Sequence, residues 1–66
     1  MSESEDERLQ AFLILVKTAR WRAPPRCWNE EFRRALNDRL VSVGFGGILY
    51  LTLGGEYFAE HGNIPA

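Results

Sequence analysis

The sequence predicts an α+β fold with two main helices, a short β-hairpin and a short closing helix. Three observations carry this. Apolar residues recur at helical spacing through the first third of the chain. A proline pair followed by an N-cap residue marks off a second helix. Two runs of β-formers then flank Gly46-Gly47, ahead of a last segment that opens with Thr52 and stops at Gly62.

The first helix is expected from about Glu5 to Arg20. Ser4 and Glu7 form an S-x-x-E capping box, and the acids around them suit the positive end of the helix dipole. Leu9, Phe12, Leu13, Val16 and Ala19 form its apolar stripe, which Ile14 and Leu15 widen. A helix apolar on most sides is either central or shared with a second chain. Pro24-Pro25 ends the pattern, because proline disfavours the helical region for the residue before it. Residues 21–27 are therefore a connector that lets the second helix return against the first.

The second helix is expected over about residues 30–41. Asn29 is its N-cap, Glu30 and Glu31 fill its first turn, and Trp28 and Phe32 approximate a hydrophobic staple. Phe32, Leu36, Leu40 and Val43 continue its stripe, with Ala35 beside it. Val41–Phe45 and Ile48–Thr52 are the expected strands, and the two glycines between them supply the positive φ of a hairpin turn. Thr52 then caps a last helix from Leu53 to His61, with Tyr57, Phe58 and His61 on its inner face and Gly62 as its left-handed stop. Gly54-Gly55 are poor helix formers and predict an irregular first turn.

The 66 residues make one domain, 1–66, with an acidic N-terminal tail at 1–4 and a C-terminal tail at 63–66. Such a chain buries only about 60% of the surface it exposes when unfolded, so its stability margin is small. Cys27 is the only cysteine, which excludes an intrachain disulfide and suits a reducing, cytoplasmic location. Cys27 and His61 together fall short of the four ligands of a structural zinc, so neither a metal nor another cofactor is expected. The 45% apolar content and eight aromatic residues supply a core. The segment MSESEDE is acidic, the reverse of a secretory leader, and the apolar run Ala11–Val16 falls far short of the roughly 20 residues of a membrane span.

The net charge of −1 is unevenly laid out. Residues 1–16 carry −3 and residues 40–66 carry −2. Residues 17–39 carry +4, from Lys17, Arg20, Arg22, Arg26, Arg33, Arg34 and Arg39 against Glu30, Glu31 and Asp38. A local basic segment steers anionic partners. Arg22, Arg26, Arg33 and Arg34 are expected to form one positive face that contacts phosphates, with Asn37 on the same solvated side of the second helix. Lys17 and Arg20 also suit the C-terminal end of the first helix dipole. Trp21 lies between Arg20 and Arg22 in the connector, and Trp and Arg are the residue types that anchor protein interfaces. Trp28, in contrast, is expected in the core. Catalysis would need the fold to bring Cys27 to His61. Gly44, Gly46 and Gly47 lack the G-K-[ST] ending of a phosphate loop and precede a strand. The protein is expected not to be an enzyme.

The stretch GGILYLTLGGEYFAEHG, residues 46–62, resembles the wing and closing helix of winged-helix DNA-binding domains. The matching residues are Leu51, Thr52 and Gly55, with Tyr57 and Phe58 behind them, and the resemblance covers roughly residues 29–62. It implies a reduced winged-helix-like fold in which Glu30–Val41 stands where the family has its recognition helix. The family has three helices before the wing, and this chain has room for two. The function expected is that of a small DNA-binding or regulatory protein, a homodimer through part of Phe12, Ile14, Leu15 and Ala19. The alternative is a protein-binding adaptor or inhibitor that docks through Trp21 and the neighbouring Arg20 and Arg22.

Overall fold

The computed structural model describes residues 2–62, with side chains described from Glu5 onward. Its elements are α1 (Ser2–Ala19), a 3-10 turn at Arg26–Trp28, α2 (Asn29–Asn37), β1 (Val41–Val43), β2 (Leu49–Leu51) and α3 (Leu53–His61). This is the expected α+β order, and among the described residues the layout of three α-helices with a two-stranded antiparallel hairpin is consistent with a reduced winged-helix-like arrangement. The expected tail at 63–66 lies outside the described residues.

The central element is α1, which packs against α2, β2 and α3. It buries Leu9, Phe12, Leu13 and Val16 against Ala35, Leu40, Val41, Leu49 and Phe58. A helix covered on several sides needs a wide apolar face, and this accounts for most of the width seen in the sequence. Of the residues expected at a dimer face, Phe12 is fully buried within its own chain, Leu15 is half-buried, and Ile14 and Ala19 are exposed. The helix begins at Ser2, so Ser4 lies in its first turn rather than at the N-cap, and the expected tail is helical from Ser2. Glu5, Asp6 and Glu7 near the positive end of the dipole favour that extension.

The second helix starts one residue earlier than expected and ends four residues sooner. The 3-10 turn runs directly into α2, which places Trp28 at the N-cap position and Asn29 inside the helix, with no side-chain cap. At the other end Arg39 adopts φ 58°, a left-handed conformation. Its N–H donates to the Leu36 carbonyl at 3.2 Å, and the Leu40 N–H donates to the Ala35 carbonyl at 2.8 Å. These two bonds make a Schellman motif with arginine where glycine is usual. The reversal turns Leu40 and Val41 back into the core instead of letting α2 run on to residue 41.

In the hairpin Val41 faces Leu51, Ser42 faces Tyr50 and Val43 faces Leu49. The strands are shorter than expected because residues 44–48 form the loop. The Gly44 N–H donates to the Ile48 carbonyl at 2.8 Å, and Gly46 and Gly47 take φ 75° and 79° as their turn requires. The Leu49 N–H donates to the Trp21 carbonyl at 2.8 Å, so the connector pairs with the outer edge of β2.

Thr52 caps α3 as expected, its hydroxyl oxygen accepting from the Gly55 N–H at 3.1 Å. The same hydroxyl donates to the Arg39 carbonyl at 2.6 Å, and the Thr52 N–H donates to the Leu40 carbonyl at 3.0 Å. The first turn of α3 is thereby tied to the turn between α2 and β1, and it is regular rather than irregular. Gly55 is there for space: a Cβ on it would overlap the Leu40 carbonyl. The inner face of α3 is narrower than expected. Gly55 and Phe58 are buried, while Tyr57 and His61 are exposed and pack on each other with ring centroids 4.3 Å apart. Gly62 ends the helix in the left-handed conformation, its N–H donating to the Phe58 carbonyl at 2.7 Å. Among the described residues no helix is long and apolar enough to cross a membrane.

The two glycines of α3 should respond oppositely to a methyl group. Gly55→Ala forces the helix off the Leu40 backbone and should destabilise the protein by about 3 kcal/mol. At Gly54 the added Cβ meets Leu40 Cδ2 at an ordinary 3.7 Å, so Gly54→Ala should stabilise by about 0.5–1 kcal/mol through helix propensity. Urea denaturation of the two variants measures both, and equal effects would contradict the close approach.

Candidate functional site

The connector and α2 carry the residues expected to meet an anionic partner. Arg22 and Arg26 are exposed, Arg26 on the first residue of the 3-10 turn. Arg33 and Asn37 lie four residues apart on α2, both exposed. Together with Glu30 and Arg34 they line a shallow depression of about 380 Å³. The structure thus brings Arg33, Arg34 and Asn37 together on one helix face. Arg34 has structural work as well: its guanidinium binds Asp6 at 3.0 Å on α1 and Asp38 at 3.7 Å on its own side of the chain. Both partners are substantially exposed, which limits such a pair to about 1 kcal/mol or less.

Sequence reasoning missed Arg8. Its guanidinium stacks over the Trp28 ring at 5.0 Å, pairs with Glu31 at 3.3 Å and donates to the Cys27 carbonyl at 3.4 Å. One side chain of α1 thereby fastens the start of α2. The spacing of Arg8 on the helix gives no hint of this, because all three partners lie about twenty residues away.

These ion pairs redistribute the charge of the basic segment. Glu31 and Asp38 are held by Arg8 and Arg34. Lys17, Arg20, Arg22, Arg26, Arg33 and Arg39 are exposed and enter no ion pair among the described residues. Glu30 is the one acid of the segment outside those pairs.

Trp21 is not a free anchor. Its indole stacks on Phe12 with centroids 6.0 Å apart and an interplanar angle of 26°. Trp28 packs on the same Phe12 ring at 5.8 Å. Both indoles are half-buried against the core, so Trp21 keeps partial exposure and Trp28 is less buried than expected. The rings converge because the proline segment bends the connector back over α1. Arg20, next to Trp21, takes a left-handed φ of 52° as α1 ends and is exposed.

Of the apolar stripe expected for the second helix, Leu36 on α2 and Val43 on β1 are exposed instead of buried, and the other large exposed apolar side chains lie elsewhere. Two adjoining depressions of about 480 and 450 Å³ run between α1, β2 and α3 and share Lys17, Leu51 and Glu56. Ile14, Leu53 and Tyr57 border the first, and Phe45 and Tyr50 border the second. Leu53 is 87% exposed and Phe45, in the hairpin loop, is fully exposed at 103%. Cys27 is exposed and His61 rests on Tyr57, and no hydrogen bond or ion pair joins the two among the described residues. No group of three or more His, Cys, Asp or Glu among the described residues is arranged to hold a metal.

Comparison with protein-family models, with curated proteins and with solved structures finds no match.

The shared stack on Phe12 makes the two tryptophans comparable in stability. Trp21→Ala and Trp28→Ala should each cost about 2 kcal/mol, less than a fully buried aromatic would. Thermal melts decide this. A Trp21→Ala melt that matches wild type, beside an unfolded Trp28→Ala, would show that the connector does not depend on the stack.

Proposed function

We propose that this chain is a small non-enzymatic DNA-binding or regulatory protein that contacts phosphates through its connector and the exposed face of α2. The observation that supports this reading is the sorting of the ion pairs. Arg8 and Arg34 pair with Glu31, Asp6 and Asp38, and Arg22, Arg26, Arg33 and Arg39 are exposed and enter no ion pair among the described residues, with Glu30 the one unpaired acid of residues 17–39. Exposed arginines of this kind displace counterions from a duplex, which supplies affinity and steers encounter. Arg33 and Asn37 on one face of α2 are also the residue types that read guanine and adenine edges in the major groove. The step from α2 through a tight turn into a hairpin fits the winged-helix resemblance, which places Phe45 at the wing tip. A cytoplasmic location belongs to the same reading.

A second reading, a protein-binding adaptor or inhibitor, is favoured by the exposed apolar side chains between α1, β2 and α3. On that reading the docking surface is the groove rather than Trp21, whose ring is half covered by the core.

Titration of a DNA duplex at several salt concentrations tests the first reading. Arg22→Ala and Arg33→Ala should each leave the thermal midpoint in place and reduce the salt dependence of binding by about one unit of slope. Arg34→Ala should lower the midpoint instead, because Arg34 links α1 to α2. Absence of duplex binding at low salt would end the DNA reading.

A further inference from the structure

The groove between the second half of α1 and α3 is sorted by charge. Its α1 wall carries Lys17 and, just past the end of the helix, Arg20, and its α3 wall carries Glu56 and Glu60, all four exposed. Lys17, Arg20 and Glu56 enter no ion pair among the described residues. Glu60 reaches only its neighbour His61, at 3.8 Å. Between the walls lies an apolar strip built on Leu51, with Ile14, Leu53 and Phe45 projecting beside it. An occupant of this groove must offer apolar bulk, negative charge to one wall and positive charge to the other. A uniformly charged partner is repelled by one wall whichever sign it carries.

The chain itself carries the required surface, which is this groove. We propose that the groove is filled by a second copy of the chain, docked with a two-fold axis along the groove. The α1 wall of each copy then meets the α3 wall of the other. Because such an interface is self-complementary, every contact is made twice. Lys17 and Arg20 of each copy face Glu56 and Glu60 of the other, and the exposed leucine, isoleucine and phenylalanine side chains are withdrawn from water. A stable interface takes about 800 Å² from each partner. That is about one-sixth of the 4873 Å² surface of this chain. The surface differs from the helix-one face expected from the sequence: of those residues it keeps Ile14, and it adds β2 and α3.

Sedimentation of the full chain without nucleic acid, across a wide concentration range and at two salt concentrations, reads the assembly independently of DNA binding. Dimer that dissociates on dilution, and more readily at high salt, is expected. Two charge-reversed variants locate the contact: Lys17→Glu with Arg20→Glu, and Glu56→Lys with Glu60→Lys. All four side chains are exposed and outside the core, and thermal melts check that each variant is folded. The single reversals Lys17→Glu and Glu56→Lys serve if a double variant is not. Each variant alone should dimerise about tenfold or more weakly, because like charges then face each other. An equimolar mixture should form a heterodimer at wild-type strength, because one copy presents two acidic walls and the other two basic ones. A wild-type chain that stays monomeric at high micromolar concentration overturns the proposal. So does a dimer indifferent to both reversals, or a mixture that remains monomeric.

Discussion

The placement of the Phe12 ring organises this molecule. It is fully buried in α1 and meets three other rings, Trp21 and Trp28 of the connector segment and Phe32 of α2, at centroid distances between 5.8 and 6.1 Å. Aromatic contacts of this kind add about 0.5–1.5 kcal/mol each beyond the area they bury. With nine buried apolar residues among the described ones, that is a large share of what holds the connector. The connector in turn reaches β2 through the Trp21 carbonyl, and the start of α2 is fixed by Arg8 over Trp28. The orientation of α2, and with it of Arg33 and Asn37, therefore traces back to one buried phenylalanine on another helix.

A second junction sets the other half of the fold. Leu40 is buried, its N–H closes the end of α2, and its carbonyl accepts from Thr52 while lying against Gly55. Three elements meet at that one residue. The left-handed φ of Arg39 follows from this meeting, because the chain must reverse within two residues to bury Leu40. A non-glycine residue there carries about 1–2 kcal/mol of steric cost. The two backbone bonds of the motif, the Thr52 hydroxyl on the Arg39 carbonyl and the burial of Leu40 oppose that cost.

What could be read in the sequence depended on whether the signal was local. Thr52 and Gly62 announced the ends of α3, because a cap hydroxyl and a left-handed glycine act within one turn of where they stand. Gly46 and Gly47 announced the hairpin turn in the same way. The reversals at Arg20 and Arg39 carried no such mark, since arginine is disfavoured at a left-handed position and nothing in the local sequence announces one there. Gly55 was misread as a weak point of the helix because its reason, the Leu40 carbonyl, is fifteen residues away. The candidate site divides along the same line. Composition located the basic segment, but the partners of Arg8 and Arg34 come from other elements, so pairing could not sort free arginines from occupied ones. The groove was invisible for the same reason: its walls are α1 and α3, which are adjacent only in the fold.

The apolar residues left outside the core are themselves informative, because local structure does not call for them. Leu53 stands at the first helical position after the Thr52 cap, where almost any residue is compatible with the helix. Phe45 stands in a loop whose geometry is set by two glycines and by the bond between Gly44 and Ile48. Neither side chain is part of the core cluster. Singly exposed apolar residues need no explanation, but a patch grouped around one groove does. Here the patch lies between two walls of opposite charge, whereas the connector and α2 expose Arg22, Arg26 and Arg33 beside Glu30, Leu36 and Asn37. The mixed, apolar surface is thus separate from the surface that carries the exposed arginines of the connector and α2. A domain of 66 residues can hold both because α1, at its centre, supplies the floor beneath each.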